Sequence, residues 1–178
     1  MKVLLLNGSP RKNGCTYTAL NVVADALKAE GIDAEVFQAG DPDMENVKAA
    51  AAKLKDSDAL VVGSPVYWAS PSGQIIEFMD RLASVAGKDM LYKPAAAVAS
   101  ARRAGTTATL DVLTKYFSYH QMPVVSSNYW NIVHGNTPEE VVRDEEGMQT
   151  MRLLGKNMAW LVKSIDAAKK QGVELPCG

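Results

Sequence analysis

Cysteine is scarce in this sequence. There are two in 178 residues, Cys15 and Cys177, too few for a disulfide framework or a cysteine metal cluster, and a reducing cytoplasm is the expected compartment. Histidine is equally sparse: His120 and His134 show no paired ligand spacing, which argues against a metal site. Neither sign of charge dominates. Nineteen Lys and Arg against 20 Asp and Glu give a net charge of −1, which removes the electrostatic basis for nucleic acid or an anionic membrane as a partner. Long apolar runs are missing too. Val3–Leu6 lies between Lys2 and Asn7, too short for a signal-peptide core or a membrane span. No internal repeat, low-complexity tract or Pro/Gly-rich linker divides the chain. Hydrophobic residues nevertheless make up 47%. At this length, residues 1–178 are expected to form one domain with a continuous core.

The elements expected from periodicity alternate. Met1–Asn7 reads as a buried strand. Leu20, Val23, Ala24 and Leu27 then repeat at helical spacing up to Gly31, a residue suited to a helix C-terminus. A second strand is expected at Ile32–Phe37, followed by a helix with Asp41 as N-cap and Pro42 at its first position, running to about Lys55. A third strand is expected at Ala59–Val62, with a loop over Ser64–Ser70 and a helix whose face is Ile75, Phe78, Met79 and Leu82. Pro94–Ala99 reads as the fourth strand, with a helix from about Thr107 to Tyr119, and Met122–Ser126 as the fifth. Thr137, Pro138 and Glu140 form a capping box, and the stripe from Met148 to Ile165 marks a long last helix. Strands separated by helices imply right-handed crossovers, hence an α/β fold with a parallel sheet covered on both faces. Ligands of such sheets bind beyond the carboxyl ends of the strands.

Three loops are expected there. The first, GSPRKNGCT over residues 8–16, follows the first strand and precedes the first helix. Backbone N–H groups, hydroxyls and the positive end of a helix dipole make that position an anion cradle. Only Gly8 and Gly14 are present, so the three-glycine dinucleotide fingerprint is incomplete; Cys15 and Thr16 follow Gly14 where a Walker A loop needs lysine and a hydroxyl residue. What fits is a single terminal phosphate held by Ser9, Asn13, Thr16 and backbone amides, balanced by Arg11 or Lys12. The second loop, GSPVYWASPSGQ, places Tyr67 and Trp68 between two prolines, as a wall for a flat ligand. The third, ASARRAGT, joins small residues to Arg102 and Arg103, suited to negative charge on a ring or a second phosphate. Phosphate at one end and aromatic walls at the other imply FMN. Read blandly, Tyr67 and Trp68 pack under their own loop and the arginines are solvated surface charge.

These residues resemble the flavodoxin-like NAD(P)H-dependent FMN reductases, in the branch that includes the iron-sulfur flavoproteins. The resemblance rests on GSPRKNGCT, GSPVYWASPSGQIIEFMDR, ASARRAGTTATLDVL and the YWN after the expected fifth strand, and spans nearly the whole chain. It implies a flavodoxin-like doubly wound five-stranded parallel sheet of order 2-1-3-4-5. By matching position it places Ser9, Arg11, Asn13, Gly14, Cys15 and Thr16 around the phosphate. Pro65, Val66, Tyr67 and Trp68, with Ala101, Arg102, Arg103, Ala104 and Gly105, would surround the ribityl chain and ring. Two departures stand out. The cluster-bearing members have cysteines between the second strand and second helix, where this chain has FQAGDPDMEN, so no iron-sulfur cluster is expected. Cys15 stands where the family often has asparagine; a helix N-terminus lowers a thiol pKa but a nearby phosphate opposes the thiolate, so Cys15 is expected to be a passive small residue.

The resemblance implies an oxidoreductase taking hydride from NADPH or NADH and reducing a small acceptor such as a quinone, a nitro or azo compound, a metal ion or a flavin. The chemistry would belong to the flavin, with no catalytic side chain. A homodimer or homotetramer is implied, in which Tyr129, Trp130 and His134 cover a neighbour's flavin or pack on their own subunit. The alternative is a flavodoxin-type electron carrier that does not itself oxidise NAD(P)H. The near-neutral charge, with Arg11 and Lys12 beside the phosphate loop, argues against it.

Overall fold

The computed structural model describes residues 1–176; Cys177 lies outside the described residues. Its organising element is β1 (Lys2–Asn7), whose side chains alternate between two buried layers. Val3 and Leu5 point into one core, and Leu4 and Leu6 into the other. A strand buried on both faces reads as an unbroken apolar run, which is why VLLL carries no polar alternation.

The remaining strands are β2 (Asp33–Gln38), β3 (Ala59–Tyr67), β4 (Ser70–Pro71), β5 (Ala95–Ala101) and β6 (Ile132–His134). The helices are α1 (Cys15–Ala29), α2 (Met44–Lys55), α3 (Gly73–Met90), α4 (Thr106–Tyr119), α5 (Pro138–Arg143) and α6 (Glu145–Lys170). Five strands run parallel in the order β2-β1-β3-β5-β6, and β4 pairs antiparallel with the end of β3. Counting the parallel strands alone, this is the flavodoxin-like order expected. One core joins α1 and α6 to the sheet through Leu20, Val23, Leu27, Met151, Leu154 and Met158. On the opposite face Leu54, Phe78, Met79, Leu82, Leu113 and Phe117 form the second core. Each such side chain, fully buried, contributes roughly 1.5–3 kcal/mol.

Three expectations are corrected. The fifth parallel strand is not Met122–Ser126: that segment makes a single bridge, Val124 to Ala95, and the chain then leaves the edge and returns as β6, where Ile132 pairs with Ala99. Pro123 and the edge position both weaken pairing there, because an edge strand is held from one side only. Second, β3 does not end at Val62. Residues 64–67 stay extended and turn back through Trp68 and Ala69 to β4, so the sheet has six strands and not five. Third, α2 is capped by Asp43, whose carboxylate accepts from Glu45 N–H at 2.8 Å, and not by Asp41.

The capping box forms as expected. Thr137 Oγ1 accepts from Glu140 N–H at 3.3 Å, while Glu140 Oε2 accepts from Asn136 N–H at 2.6 Å, one residue earlier than the usual partner.

Candidate functional site

The first loop is held by the residues around it. Asn7, at the end of β1, accepts from Ser9 N–H at 3.2 Å and donates to the Lys12 carbonyl at 3.2 Å and to Gln38 Oε1 at 2.7 Å. Gln38, at the end of β2, donates to the Ser9 carbonyl at 2.6 Å. Ser9 Oγ accepts from Arg11 N–H at 3.1 Å. Gly40 completes the clamp: a Cβ there would lie 2.0 Å from the Ser9 carbonyl oxygen, so any side chain would push the loop away. Asn7 and Ser9 are both buried. A satisfied buried network of this kind fixes one loop conformation.

The helix starts divide into two kinds. Asp43, Ser72, Thr137 and Asp144 each place a side-chain oxygen on an N–H of the first turn of α2, α3, α5 and α6. The caps of α1 and α4 are Gly14 and Gly105, and neither has a side chain to do so. The first N–H groups of a helix need an acceptor. Those of α1 and α4 are left for one that the side chains do not supply, and both helices start at the carboxyl end of the sheet.

Between these starts lies a cleft of about 140 Å³ lined by Ser9, Arg11, Cys15, Thr16, Pro65, Val66, Tyr67, Ser100, Ala101, Arg102, Gly135 and Asn136. Two arginines and no acidic residue line it, the right balance for an anion. Thr16 and Ser100, both buried, lie 2.7 Å apart through their hydroxyls, joining the first loop to the end of β5. Cys15 Sγ points to the Gly135 carbonyl at 3.8 Å. Burial pushes the Cys15 thiol pKa up, outweighing the backbone N–H and Arg11, which act to lower it. The thiol form is thus favoured at neutral pH.

Of the residues singled out in sequence, nine line this cleft: Ser9, Arg11, Cys15, Thr16, Pro65, Val66, Tyr67, Ala101 and Arg102. Asn13, Trp68, Arg103 and Ala104 lie outside the lining and are exposed. Gly14 and Gly105 act as helix caps. Gly105 has φ +93, and a Cβ on it would come within 2.6 Å of Ala69 Cα and 2.8 Å of Val66 Cγ1. The Arg103 carbonyl lies 3.2 Å from His134 Nε2. Trp68 is 101% exposed at φ 51, and Ala69 follows at φ 58. Two consecutive left-handed residues make a tight hairpin turn of the kind that normally uses Asn-Gly, so Trp and Ala here store strain of roughly 1–3 kcal/mol each.

Sequence reasoning missed Ser100, Gly135 and Asn136 in the lining, and Gln38 and Gly40 in the clamp. Ser100 had a signal: a hydroxyl residue at the carboxyl end of an otherwise all-small apolar strand. Gly135 and Asn136 had none, because the strand that delivers them was expected elsewhere. Among the described residues there is no group of three or more His, Cys, Asp or Glu placed to hold a metal ion, and no helix long and apolar enough to cross a membrane.

Comparison with known proteins gives a consistent pattern. The family model described as NADPH-dependent FMN reductase matches residues 1–137. An iron-sulfur flavoprotein of Methanocaldococcus jannaschii is 30% identical, over 93% of this chain and 99% of its own length. An NADPH azoreductase of a Bacillus species is also 30% identical, over 61% of this chain and 64% of its own. Among solved structures, a flavodoxin, WrbA-like protein from Agrobacterium tumefaciens superposes with a TM-score of 0.72 at 19% identity, covering 92% of this chain and 97% of that one. The last likeness concerns the fold alone.

Proposed function

This chain belongs to the NADPH-dependent FMN reductase family and is an oxidoreductase; from that premise we propose that it binds FMN, takes hydride from NADPH or NADH, and reduces a small acceptor such as a quinone, a nitro or azo compound, a metal ion or a flavin. The observation that carries this reading is the uncapped start of α1 beside a cleft with two arginines and no acid. The N–H groups of Cys15, Thr16 and Tyr17 would meet the phosphate, with Ser9, Arg11, Thr16 and Ser100 around it. Pro65, Val66 and Tyr67 on one side, and Ala101, Arg102 and the start of α4 on the other, would flank the ribityl chain and ring. Asn13, Trp68, Arg103 and Ala104 stay candidates for contacts on the exposed side.

FMN supplies the redox chemistry when bound: it accepts hydride from a reduced nicotinamide and passes electrons to a second acceptor. The protein's part is to position and to stabilise charge. The N–H groups at the start of α4 that no side chain caps, with Arg102, would stabilise negative charge on a reduced ring. The clamp of Asn7, Gln38 and Gly40 holds the first loop and would thereby position the phosphate end. No side chain in the cleft is needed as an acid or base, and the raised pKa of Cys15 supports a passive role for it.

The cofactor is proposed to act without an iron-sulfur cluster, because two cysteines in the whole sequence cannot supply four thiolate ligands. Residues 1–178 are proposed as one cytoplasmic domain, without nucleic-acid or membrane partners. The exposed Trp68, Tyr119 and Trp160 support assembly into a homodimer or homotetramer.

Anaerobic mixing of the yellow protein with NADPH or NADH tests the enzymatic reading. Bleaching within seconds, followed by return of colour on adding a quinone, is the expected result. Persistent yellow with both nucleotides would replace it with an electron carrier.

A further inference from the structure

The split edge of the sheet leaves one rung open. Ala95 N–H donates to the Pro123 carbonyl at 2.9 Å, and the Ala95 carbonyl accepts from Val125 N–H at 2.8 Å. Ala99 N–H donates to the Asn131 carbonyl at 3.0 Å. In a parallel ladder alternate residues turn their N–H and C=O to the same neighbour, so those of Ala97 face this edge too. Opposite Ala97 the chain has left the sheet, and no strand residue pairs with it there. Ala97 is only 4% exposed. A donor and an acceptor that deep in a sheet call for partners.

The excursion does not collapse onto the gap because it is tied elsewhere. Ser127 Oγ lies 2.8 Å from Asn131 Oδ1 and 2.9 Å from the Tyr129 carbonyl. Asn157 Nδ2 donates to the Ser126 carbonyl at 2.8 Å, holding the excursion to α6. Between the open rung and α4 lies a cavity of about 390 Å³, within the range of small-molecule sites. Leu110 and Val125 give it apolar walls, Tyr129 and Trp130 an aromatic rim, and Asp111 a carboxylate. It shares no lining residue with the proposed cofactor cleft.

We propose that this cavity binds a small planar aromatic carboxamide. The N–H and C=O of one extended residue present a donor and an acceptor side by side. A primary carboxamide offers the complement, a carbonyl oxygen and a syn N–H, so Ala97 N–H donates to the amide oxygen and the Ala97 carbonyl accepts from the amide nitrogen. A carboxylate offers only acceptors, and both the Ala97 carbonyl and Asp111 repel it. The attached ring packs among Leu110, Val125 and Trp130.

The test uses the isotope-labelled protein as isolated, with amide resonances assigned, and benzamide and benzoate as probes. Without a probe, Ala97 N–H exchanges with solvent faster than the N–H of Ala95 and Ala99. Benzamide shifts the Ala97 resonance and slows its exchange by about 2- to 12-fold, which an ordinary net hydrogen bond provides; benzoate does neither. Trp130→Ala, at an exposed position, weakens benzamide by several-fold and leaves the slow exchange of Ala95 and Ala99 unchanged. Protection of Ala97 equal to its neighbours in the free protein, failure of benzamide to move Ala97, or equal binding of benzoate would each overturn the proposal. None of these readings depends on the yellow cofactor.

Discussion

Among the described residues, four helices begin under a side-chain cap and two begin under glycine. Ser72 shows what a closed start does: its hydroxyl accepts from Ile75 N–H at 3.3 Å and donates to the Gly8 carbonyl at 2.9 Å, so it finishes α3 and ties it to the first loop. Gly14 and Gly105 do nothing of the kind, and the starts they leave open flank a cleft that has two arginines and no acid. A glycine cap gives up about a few tenths of a kcal/mol against a side-chain cap, and leaves the first N–H groups without a side-chain acceptor. Two such starts at one end of one sheet are where, on the reading we propose, a ligand supplies what the side chains withhold.

Substitutions at the two kinds of start should therefore separate stability from cofactor binding. The largest effect is expected for Gly105→Ala. A left-handed φ and a Cβ pressed on the backbone of Ala69 predict a loss of about 2–4 kcal/mol in thermal or urea unfolding. A change under about 1 kcal/mol would show that the turn at Trp68 and Ala69 yields easily. Next comes Ser72→Ala at a closed start, which leaves buried partners unmatched and is expected to cost about 2 kcal/mol of stability. At the open start, Thr16→Val is expected to weaken FMN by about 1–2 kcal/mol, near the lower end for a hydrogen bond to a charged group. Fluorescence titration reads this, and unchanged affinity would remove Thr16 from the phosphate site.

The smallest effect lies far from either kind of start. Glu35 sits 2.6 Å from Lys53 Nζ and 3.0 Å from Lys2 Nζ; the hydrogen bond from Lys53 is the largest effect, burial opposes it, and the hydrogen bond from Lys2 adds to it, so the carboxyl is held below the usual carboxylate range. A lowered folded pKa adds stability above the ordinary carboxylate pKa and loses it as pH falls through the folded value. Because the groups are about a third exposed, Glu35→Gln should cost at most about 1 kcal/mol at neutral pH, vanishing in acid, with FMN affinity unchanged. A shift in FMN affinity would mean that the sheet edge and the cleft are coupled.

The parallel order and the first loop were legible because both are written in continuous residues: a two-sided apolar run, then glycine, hydroxyl and basic residues before a helix. The fifth strand was not. Val124 and Val125 have strand-like side chains, but pairing at an edge depends on a neighbour, and β6 is three residues long, too short for any period to show. The turn at Trp68 and Ala69 was hidden for a related reason, since neither residue favours a left-handed conformation and the turn packs against Gly105, distant in sequence. Gln38 and Gly40 meet the first loop only across the sheet, a contact that no local pattern encodes. What could be read was most of the residues that line the cleft; what could not was the scaffolding that reaches it from distant parts of the chain.

The central claim is that the open start of α1 holds the phosphate of FMN, and titrating the apoprotein with FMN and with riboflavin under the same conditions tests it most directly. Three free N–H groups, nearby hydroxyls and Arg11 predict that FMN binds on the order of 100-fold tighter or more, since each hydrogen bond to a charged group contributes about 1.5–3 kcal/mol. Equal affinities would mean that the phosphate makes no use of that start, and the account would be wrong.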